Sequence, residues 1–199
     1  TNDKLANERI AYLAHNDALT GLVNRAHFSH AISRCLDSRR LSDGAQFSVL
    51  YLDLDGFKLI NDTKGHKVGD ELLVEVGARL KKALRDNDVV ARLGGDEFGV
   101  LLRNEISTIS LSGLAEKIIE AVRKPFDIDG HLVTVGVSIG IAIAPQDGQS
   151  VEALLNSADL GLYRAKEEGK GTYRFFETKM DDIVRDRRIL EQELRGALA

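Results

Sequence analysis

Two adjacent carboxylates follow a pair of glycines near the middle of the chain. Asp96 and Glu97 come directly after Gly94 and Gly95, in the run RLGGDEFGVLL, with apolar residues on both sides. Apolar segments joined by Gly-Gly predict a tight hairpin, because the central residues of such a turn take positive φ. Glycines also leave room for a ligand near the backbone. Carboxylates at this tip could hold a divalent cation beside a phosphate chain, although a solvated turn would explain the same residues.

A further carboxylate ends the most apolar run of the chain. Asp53 closes the run that begins at Phe47, which predicts a buried central strand. If this strand neighbours the hairpin, Asp53 and Asp96 can converge on one cation. Mg²⁺ commonly takes one or two carboxylates together with water and substrate phosphates. Taken alone, Asp53 is explained equally well as a polar residue at a strand end.

The segment between Asp53 and Asp70 is dense in polar groups. Lys58 could offer a point charge to a phosphate. Asn61 offers donors and an acceptor, and Asp70 offers acceptors, so the pair could bind the edge of a guanine. Each residue alone is ordinary loop polarity, but beside a metal site they indicate a purine nucleotide.

Two lysines stand at the end of a late predicted helix. Lys166 and Lys170 could neutralise phosphate. The alternative is that these cations simply complement the dipole at the carboxyl end of the helix.

The composition is that of an ordinary globular domain. Of 199 residues, 43% are hydrophobic and 29% charged, and the net charge of −4 does not suggest a general nucleic-acid binder. The single Cys35 cannot form an internal disulfide, which favours the cytoplasm. No apolar run approaches the roughly 20 residues of a membrane span, although the parent protein could still be anchored at a membrane. The start has neither a Met nor a signal-peptide pattern, so we expect a segment of a longer protein.

The elements that must position these residues alternate between helices and strands. An interleaved pattern of this kind predicts an α+β fold, an α/β sandwich in which helices pack on a mixed sheet of about five strands. A short irregular turn is expected between the first strand and the helix that follows it. The predicted helices cover about 3–15, 25–38, 67–84, 107–122, 150–168 and 178–198, and the predicted strands about 47–54, a hairpin at 88–102, a ribbon at 126–133, 135–144 and 173–176.

Over residues 15–177 the chain resembles the GGDEF family of diguanylate cyclases. Its opening signature resembles DALTGLVNR at 17–25, and its nucleotide segment resembles the residues from Asp53 to Asp70. The motif that names the family, Gly94 to Phe98, is intact, and ADLGLYRAK at 158–166 resembles its late helix.

The resemblance implies a fold like the palm of nucleotidyl cyclases and polymerases. It implies Mg²⁺, or Mn²⁺ in its place, held by Asp53, the Leu54 carbonyl and Asp96, with Glu97 close by. Guanine recognition by Asn61 and Asp70 is implied, with His66 near the substrate. The resemblance also implies that three lysines face the phosphates: Lys58, Lys166 and Lys170. The family often has Arg where Lys170 stands, and Lys lacks the bidentate fork of Arg.

The implied reaction joins two GTP molecules into cyclic di-GMP. The 3′-hydroxyl of one GTP attacks the α-phosphate of another, pyrophosphate leaves, and a second round closes the ring. Metal ions stabilise the attacking and leaving oxygens, and an acidic residue of the motif assists deprotonation. One chain holds one GTP, so a homodimer is implied.

The resemblance also implies a product-binding site and neighbouring domains. Arg85 and Asp88, in an Arg-x-x-Asp pattern before the glycines, resemble the inhibitory site for cyclic di-GMP, although a plain surface pair would give the same pattern. Residues 1–15 resemble a linker helix from an upstream sensor domain, and the resemblance implies a GGDEF domain over 16–177. Residues 178–199 resemble the linker helix to an EAL-type phosphodiesterase domain, although any charged amphipathic terminal helix would look alike.

Three functions remain open at this point. The first is an active diguanylate cyclase domain. The second is a non-catalytic GTP-binding module that regulates an attached cyclic di-GMP phosphodiesterase. The third is a cyclic di-GMP receptor acting through Arg85 and Asp88. Binding of GTP without product formation would favour the second, and product binding without GTP binding would favour the third.

Overall fold

A computed structural model of the chain describes residues 12, 14–41, 46–104 and 107–178. Their helices and strands alternate as the sequence predicts. In chain order they are β1 (Val23–Asn24), α1 (Arg25–Leu41), β2 (Phe47–Asp55), α2 (Phe57–Lys64), α3 (His66–Ala83), β3 (Val89–Gly94), β4 (Glu97–Arg103), α4 (Thr108–Arg123), β5 (Phe126–Ile128), β6 (His131–Val133), β7 (Gly136–Ala144), α5 (Val151–Glu167) and β8 (Tyr173–Phe175).

Strand β2 lies at the centre of a six-stranded mixed sheet in the order β1-β3-β4-β2-β7-β8. It pairs antiparallel with β4 on one side and with β7 on the other. A strand with neighbours on both edges and helices on both faces must be apolar throughout, which explains the continuous run from Phe47. The fold is the predicted mixed-sheet α+β sandwich, to which β1 adds a short edge strand.

Two hydrophobic cores lie on opposite faces of the sheet, because alternate side chains of each strand point to opposite faces. Leu50, Leu52 and Leu54 pack with helices α3 and α4. Val49 and Tyr51 pack with helices α1 and α5. Asp53 and Asp55 continue the second set, so both carboxylates lie on the face that α1 and α5 cover.

Helix α2 corrects one sequence prediction. Residues 57–64 were expected to form a short irregular turn, but they form a helix between two glycines with positive φ, Gly56 at 80° and Gly65 at 89°. Phe57 is buried, and Ile60, about one helical turn later, is partly buried against the same core. The segment has three apolar residues among five polar ones, and Leu59 is exposed, so the period is too weak to predict a helix from sequence.

The hairpin between β3 and β4 exists, but its turn is displaced by one residue. Gly94 still pairs with Glu97, so Gly95 and Asp96 form the turn instead of the two glycines. The register shifts between Arg92 and Gly94, and Gly94 takes a φ of 146° there. Asp96 therefore lies in the turn and does not follow it.

The predicted helix starts are confirmed by their hydrogen bonds. Asn24 accepts from the backbone of His27 at 2.9 Å, Ser107 from Ser110, and Ser150 from Ala153. Almost all of the predicted helices at 3–15 and 178–198 lies outside the described residues, so the assignment of both ends as linkers stays a prediction. No helix in the described ranges is long and apolar enough to span a bilayer.

Candidate active site

The predicted metal ligands meet where β2 ends between its two neighbours. Asp53 pairs with Glu97 of β4 and with Ser138 of β7. The next amide, that of Leu54, donates to the backbone carbonyl of Asp96 at 3.2 Å. This bond fastens the Gly95-Asp96 turn to the end of β2. The sheet therefore brings Asp53, Leu54 and Asp96 together, although they lie far apart in sequence.

Asp53 sits in a strongly charged environment. Its carboxylate Oδ1 lies 2.7 Å from the ammonium Nζ of Lys166, and its side chain is only 15% exposed. Burial raises the pKa of Asp53, the nearby Lys166 lowers it, and the carboxylates of Asp96 and Asp55 raise it, leaving the pKa above its usual value. Three carboxylates near one ammonium form a place that favours additional positive charge.

The ligand types that these residues offer fit a magnesium ion. Two carboxylates and a backbone carbonyl are the hard oxygen ligands that Mg²⁺ takes, with water and phosphate completing the shell. Nowhere in the described part of the chain do three or more His, Cys, Asp or Glu side chains gather as a metal cluster. The predicted set requires only Asp53 and Asp96 as carboxylates.

Glu97 is held by two residues that sequence reasoning did not select. Tyr51 donates its hydroxyl to Glu97 Oε2 at 3.0 Å, and Arg25 Nη2 lies 3.3 Å from the same oxygen. Arg25 also donates from Nε to the carbonyl of Leu93 at 2.8 Å. Tyr51 stands two residues before Asp53 on the same face of β2, a spacing that could have suggested it.

Arg92 joins the opening signature to the Gly95-Asp96 turn. Its Nε and Nη2 donate to the carbonyl of Gly95 at 3.0 and 2.8 Å, and its Nη1 lies 3.1 Å from Asp17 Oδ1. The backbone and hydroxyl of Thr20 donate to the other oxygen of Asp17, both at 2.8 Å. Burial alone would raise the pKa of Asp17, but these hydrogen bonds and the Arg92 charge lower it overall. Arg92 thus helps to fix the turn that carries Asp96.

Asp55 anchors the loop that carries Lys170. Its carboxylate accepts from the Ser138 hydroxyl at 2.8 Å and from the backbone amide of Gly171 at 2.9 Å. The loop takes positive φ at Gly169, Lys170 and Gly171, at 117°, 64° and 60°. Lys170 is exposed, whereas Lys166, one turn earlier on α5, points at Asp53.

The predicted guanine residues lie where α2 meets α3. The side chain of Asn61 packs on the backbone of Gly69, so closely that a Cβ on this glycine would lie 1.9 Å from Asn61 Oδ1. Asp70 is the next residue and is exposed, as are His66 at the start of α3 and Lys58 in α2. Asn61 and Asp70 are therefore neighbours, while His66 and Lys58 stand at the surface beside them.

The predicted product site lies at the opposite end of β3. The backbone amide of Arg85 donates to Asp88 Oδ2 at 3.0 Å, and the amide of Asp88 donates to the Arg85 carbonyl at 3.0 Å. Both residues line a cavity of about 270 Å³ that Lys117 of α4 also lines. The length of β3 separates this turn from Gly94, roughly 17 Å at the rise of an extended strand.

Comparison with known proteins places these motifs in a known family. The family model described as "Diguanylate cyclase, GGDEF domain" matches residues 14–172. The diguanylate cyclase TpbB of Pseudomonas aeruginosa is 40% identical over 188 residues, covering 94% of this chain and 42% of that protein. A solved structure of its GGDEF domain superposes with a TM-score of 0.82 at 40% identity, covering 86% of this chain and 99% of that one.

Relatives with other names match equally well. MucR of Pseudomonas aeruginosa, named a bifunctional diguanylate cyclase/cyclic di-GMP phosphodiesterase, is 40% identical over 193 residues, which are 97% of this chain and 28% of that protein. PdeR of Escherichia coli, named a cyclic di-GMP phosphodiesterase, is 38% identical over 198 residues, which are 100% of this chain and 29% of that protein. The chain thus spans well under half the length of these relatives.

Proposed function

The chain belongs to the GGDEF family of diguanylate cyclases, and from this premise we propose that it condenses two GTP molecules into cyclic di-GMP with release of two pyrophosphates. In each of two rounds, a 3′-oxygen forms a bond to an α-phosphorus and the bond from that phosphorus to the β-phosphate oxygen breaks. The observation that carries the proposal is the meeting of Asp53, Leu54 and Asp96 at the end of β2.

The carboxylate residues supply the site for a divalent cation. Asp53, the Leu54 carbonyl and Asp96 would hold Mg²⁺, or Mn²⁺ in its place. When bound, the cation stabilises the attacking and leaving oxygens. Glu97, oriented by Tyr51 and Arg25, is the acidic residue to which we assign the proton of the 3′-hydroxyl. Arg92 supports the reaction indirectly by holding the turn that presents Asp96.

The nucleotide would lie between the carboxylates and helix α3. Asn61 would donate to and accept from the guanine edge, Asp70 would accept from the N–H groups of that edge, and His66 would lie near the base. Lys58, Lys166 and Lys170 would neutralise the triphosphate. Lys170 stands at an exposed position in the loop that Asp55 anchors, which leaves its ammonium able to reach a phosphate.

Catalysis would require two copies of this chain. Each copy offers one set of carboxylates and one set of guanine-binding residues, so each holds one GTP. A 3′-hydroxyl that attacked the α-phosphate of its own GTP would give a cyclic mononucleotide, so the linear dinucleotide requires a second GTP. The two sites must therefore face each other in a homodimer, at least during turnover.

A second function is favoured by the relatives named as phosphodiesterases. The match to PdeR covers the whole of this chain and about a quarter to a third of that protein, whose name gives only the phosphodiesterase activity. In such a setting a GGDEF domain could bind GTP and regulate the attached domain. The intact Gly94-to-Phe98 motif favours synthesis.

The test is incubation of the concentrated chain with GTP and Mg²⁺, followed by chromatography for cyclic di-GMP. A variant with Asp96→Asn and Glu97→Gln serves as the matched control, because both replacements keep side-chain size while removing the charges. Product from the unaltered chain alone would support the cyclase. Tight GTP binding without product from a dimeric sample would instead favour the regulatory module.

A further inference from the structure

Lys166 stands against the carboxylate proposed as a metal ligand. Its Nζ lies 2.7 Å from Asp53 Oδ1, a distance typical of a charge-assisted hydrogen bond. The side chain of Lys166 is 35% exposed and that of Asp53 is 15% exposed, so the pair is only partly screened by water. An ammonium at this distance occupies one of the two carboxylate oxygens that Asp53 would offer to a metal ion.

The fold fixes Lys166 in this place. Helix α5 lies so close to β7 that a Cβ on Gly140 would lie 1.8 Å from the carbonyl oxygen of Ala158. Ala158 and Leu162 are buried in this contact, and Lys166 continues the same i, i+4 row of α5. The row ends over Asp53, because β2 lies next to β7 in the sheet. The backbone of Lys166 therefore cannot easily withdraw, and only its side chain can move.

Lys166 is also assigned to the triphosphate, so the same ammonium would serve two anions. A triphosphate that accepts from this ammonium weakens the hold of Lys166 on Asp53, because the positive charge is then shared between two anions. Resting on the proposed function, we infer that Lys166 and the divalent cation compete for Asp53, and that the arriving triphosphate draws Lys166 away and so opens the carboxylate to the cation. Lys166 then couples the binding of the cation to the binding of the nucleotide.

The coupling has a definite thermodynamic sense. Without nucleotide, a cation must break the ion pair and leave Lys166 without a partner. With nucleotide, Lys166 exchanges one anion for another, so the cation binds at lower cost. By linkage, the cation favours the nucleotide by the same factor. Before the substrate arrives, the negative carboxylates of Asp96 and Asp55 near Asp53 favour a positive charge at the site, and Lys166 supplies it.

Lys170 offers a matched control four residues further along the chain. It carries the same charge and is assigned to the same triphosphate, but it lies in the exposed loop after α5. Within the described residues it makes no ion pair with Asp53. Replacing either lysine by Met removes one positive charge near the site, but only Lys166→Met frees Asp53.

The experiment is a titration of the full chain with Mn²⁺ in the absence of nucleotide, with free Mn²⁺ measured by its EPR signal. We expect Lys166→Met to bind Mn²⁺ roughly threefold to fivefold more tightly than the unaltered chain, the upper part of the range for a partly exposed ion pair. Lys170→Met should stay within about twofold, because the charge it removes lies outside the pair. Lys166→Arg, which keeps the charge, should bind no more tightly than the unaltered chain.

Two outcomes would overturn the competition. Unchanged or weaker Mn²⁺ binding by Lys166→Met would show that Lys166 does not oppose the cation. An equal gain in Lys166→Met and Lys170→Met would show a general effect of net charge. Asp53→Asn tests the metal site itself. If Mn²⁺ binding survives this change, both the proposed metal ligand and the competition are refuted.

Discussion

At the scale of single residues, two arginines tie the carboxylate turn to the rest of the domain. Arg92 bonds to the Gly95 carbonyl and to Asp17, and Arg25 bonds to the Leu93 carbonyl and to Glu97. The side chains of Arg92 and Asp17 are only 14% and 22% exposed, so their attraction is weakly screened. A surface turn that would otherwise be mobile is thereby fixed against β1 and α1.

Asp17→Asn should reduce stability in a pH-dependent way. The pKa of Asp17 is lowered in the folded chain, so its charge stabilises the fold above the pKa of the unfolded chain. We expect a loss of about 1–2 kcal/mol in the free energy of unfolding at neutral pH, the magnitude for a hydrogen-bonded charge. The loss should shrink as the pH falls through the folded pKa of Asp17, below its usual 3.8. Urea unfolding across this range measures it, and a constant difference at all pH values would contradict the assignment.

Arg85→Ala should weaken the binding of cyclic di-GMP. The Arg85 side chain is exposed beside the cavity shared with Asp88 and Lys117, and we assign it a bidentate contact to a phosphate or a guanine. Loss of such a contact corresponds to roughly a 10- to 100-fold rise in Kd by calorimetry. Asp86→Ala, a change within the same turn, is the control. Product affinity that does not change in Arg85→Ala would rule out this site.

At the scale of elements, glycines let helices pack closely against the neighbouring strands and helices. Gly140 and Gly161 bring β7 and α5 together, since a Cβ on Gly161 would lie 3.3 Å from the Cα of Gly140. Gly69 similarly admits Asn61 between α2 and α3. The first contact seats Lys166 over β2, and the second brings Asn61 next to Asp70.

Gly69→Ala should impair nucleotide binding more than folding. The new Cβ would overlap Asn61 Oδ1, so the amide must leave its place next to Asp70. We expect the KM for GTP to rise roughly 10-fold, while better helix propensity offsets part of the packing loss. Gly113→Ala in α4 is the matched control, because its Cβ meets nothing within 4 Å. Equal KM values for the two variants would contradict the role of Asn61.

At the scale of the whole molecule, the described residues of one chain carry one proposed set of metal-binding carboxylates and one proposed guanine-binding pair. The carboxylates, the proposed guanine-binding residues and the proposed phosphate-binding lysines lie around the end of β2, and the turn at Arg85 lies at the other end of β3. Product bound at Arg85 would therefore not overlap the substrate on the same chain. It would act through the neighbouring copy or through the orientation of the two copies.

The specific activity of the chain should therefore rise with its concentration. If two copies must meet, product formed per chain increases on going from a dilute to a concentrated sample until the dimer saturates. Parallel sedimentation runs and product assays over the same dilution series measure this. Adding excess chain with Asp96→Asn should lower the product formed per unaltered chain. A specific activity independent of concentration in a monomeric sample would contradict the dimer.

The sequence by itself determined the family and the order of the main elements, and it predicted the chemistry of the site. The apolar run to Asp53 predicted the central strand, and Asn24, Ser107 and Ser150 predicted helix starts, because these signals are local in the chain. Residues whose types are unusual in combination, such as two carboxylates after two glycines, stand out without a structure. The sequence did not predict helix α2, whose apolar period is weak. It also did not predict that the turn of the hairpin is displaced by one residue.

Only the tertiary structure decided which distant residues meet. The bond from Leu54 to Asp96, the hold of Tyr51 and Arg25 on Glu97, and the ion pair of Lys166 with Asp53 all join separate elements. Such contacts depend on strand register and on how closely helices approach the sheet, which no local spacing encodes. A lysine near a helix end looks the same in sequence whether it faces water or a carboxylate. For Lys166, the packing of α5 on β7 places the side chain against the carboxylate of Asp53.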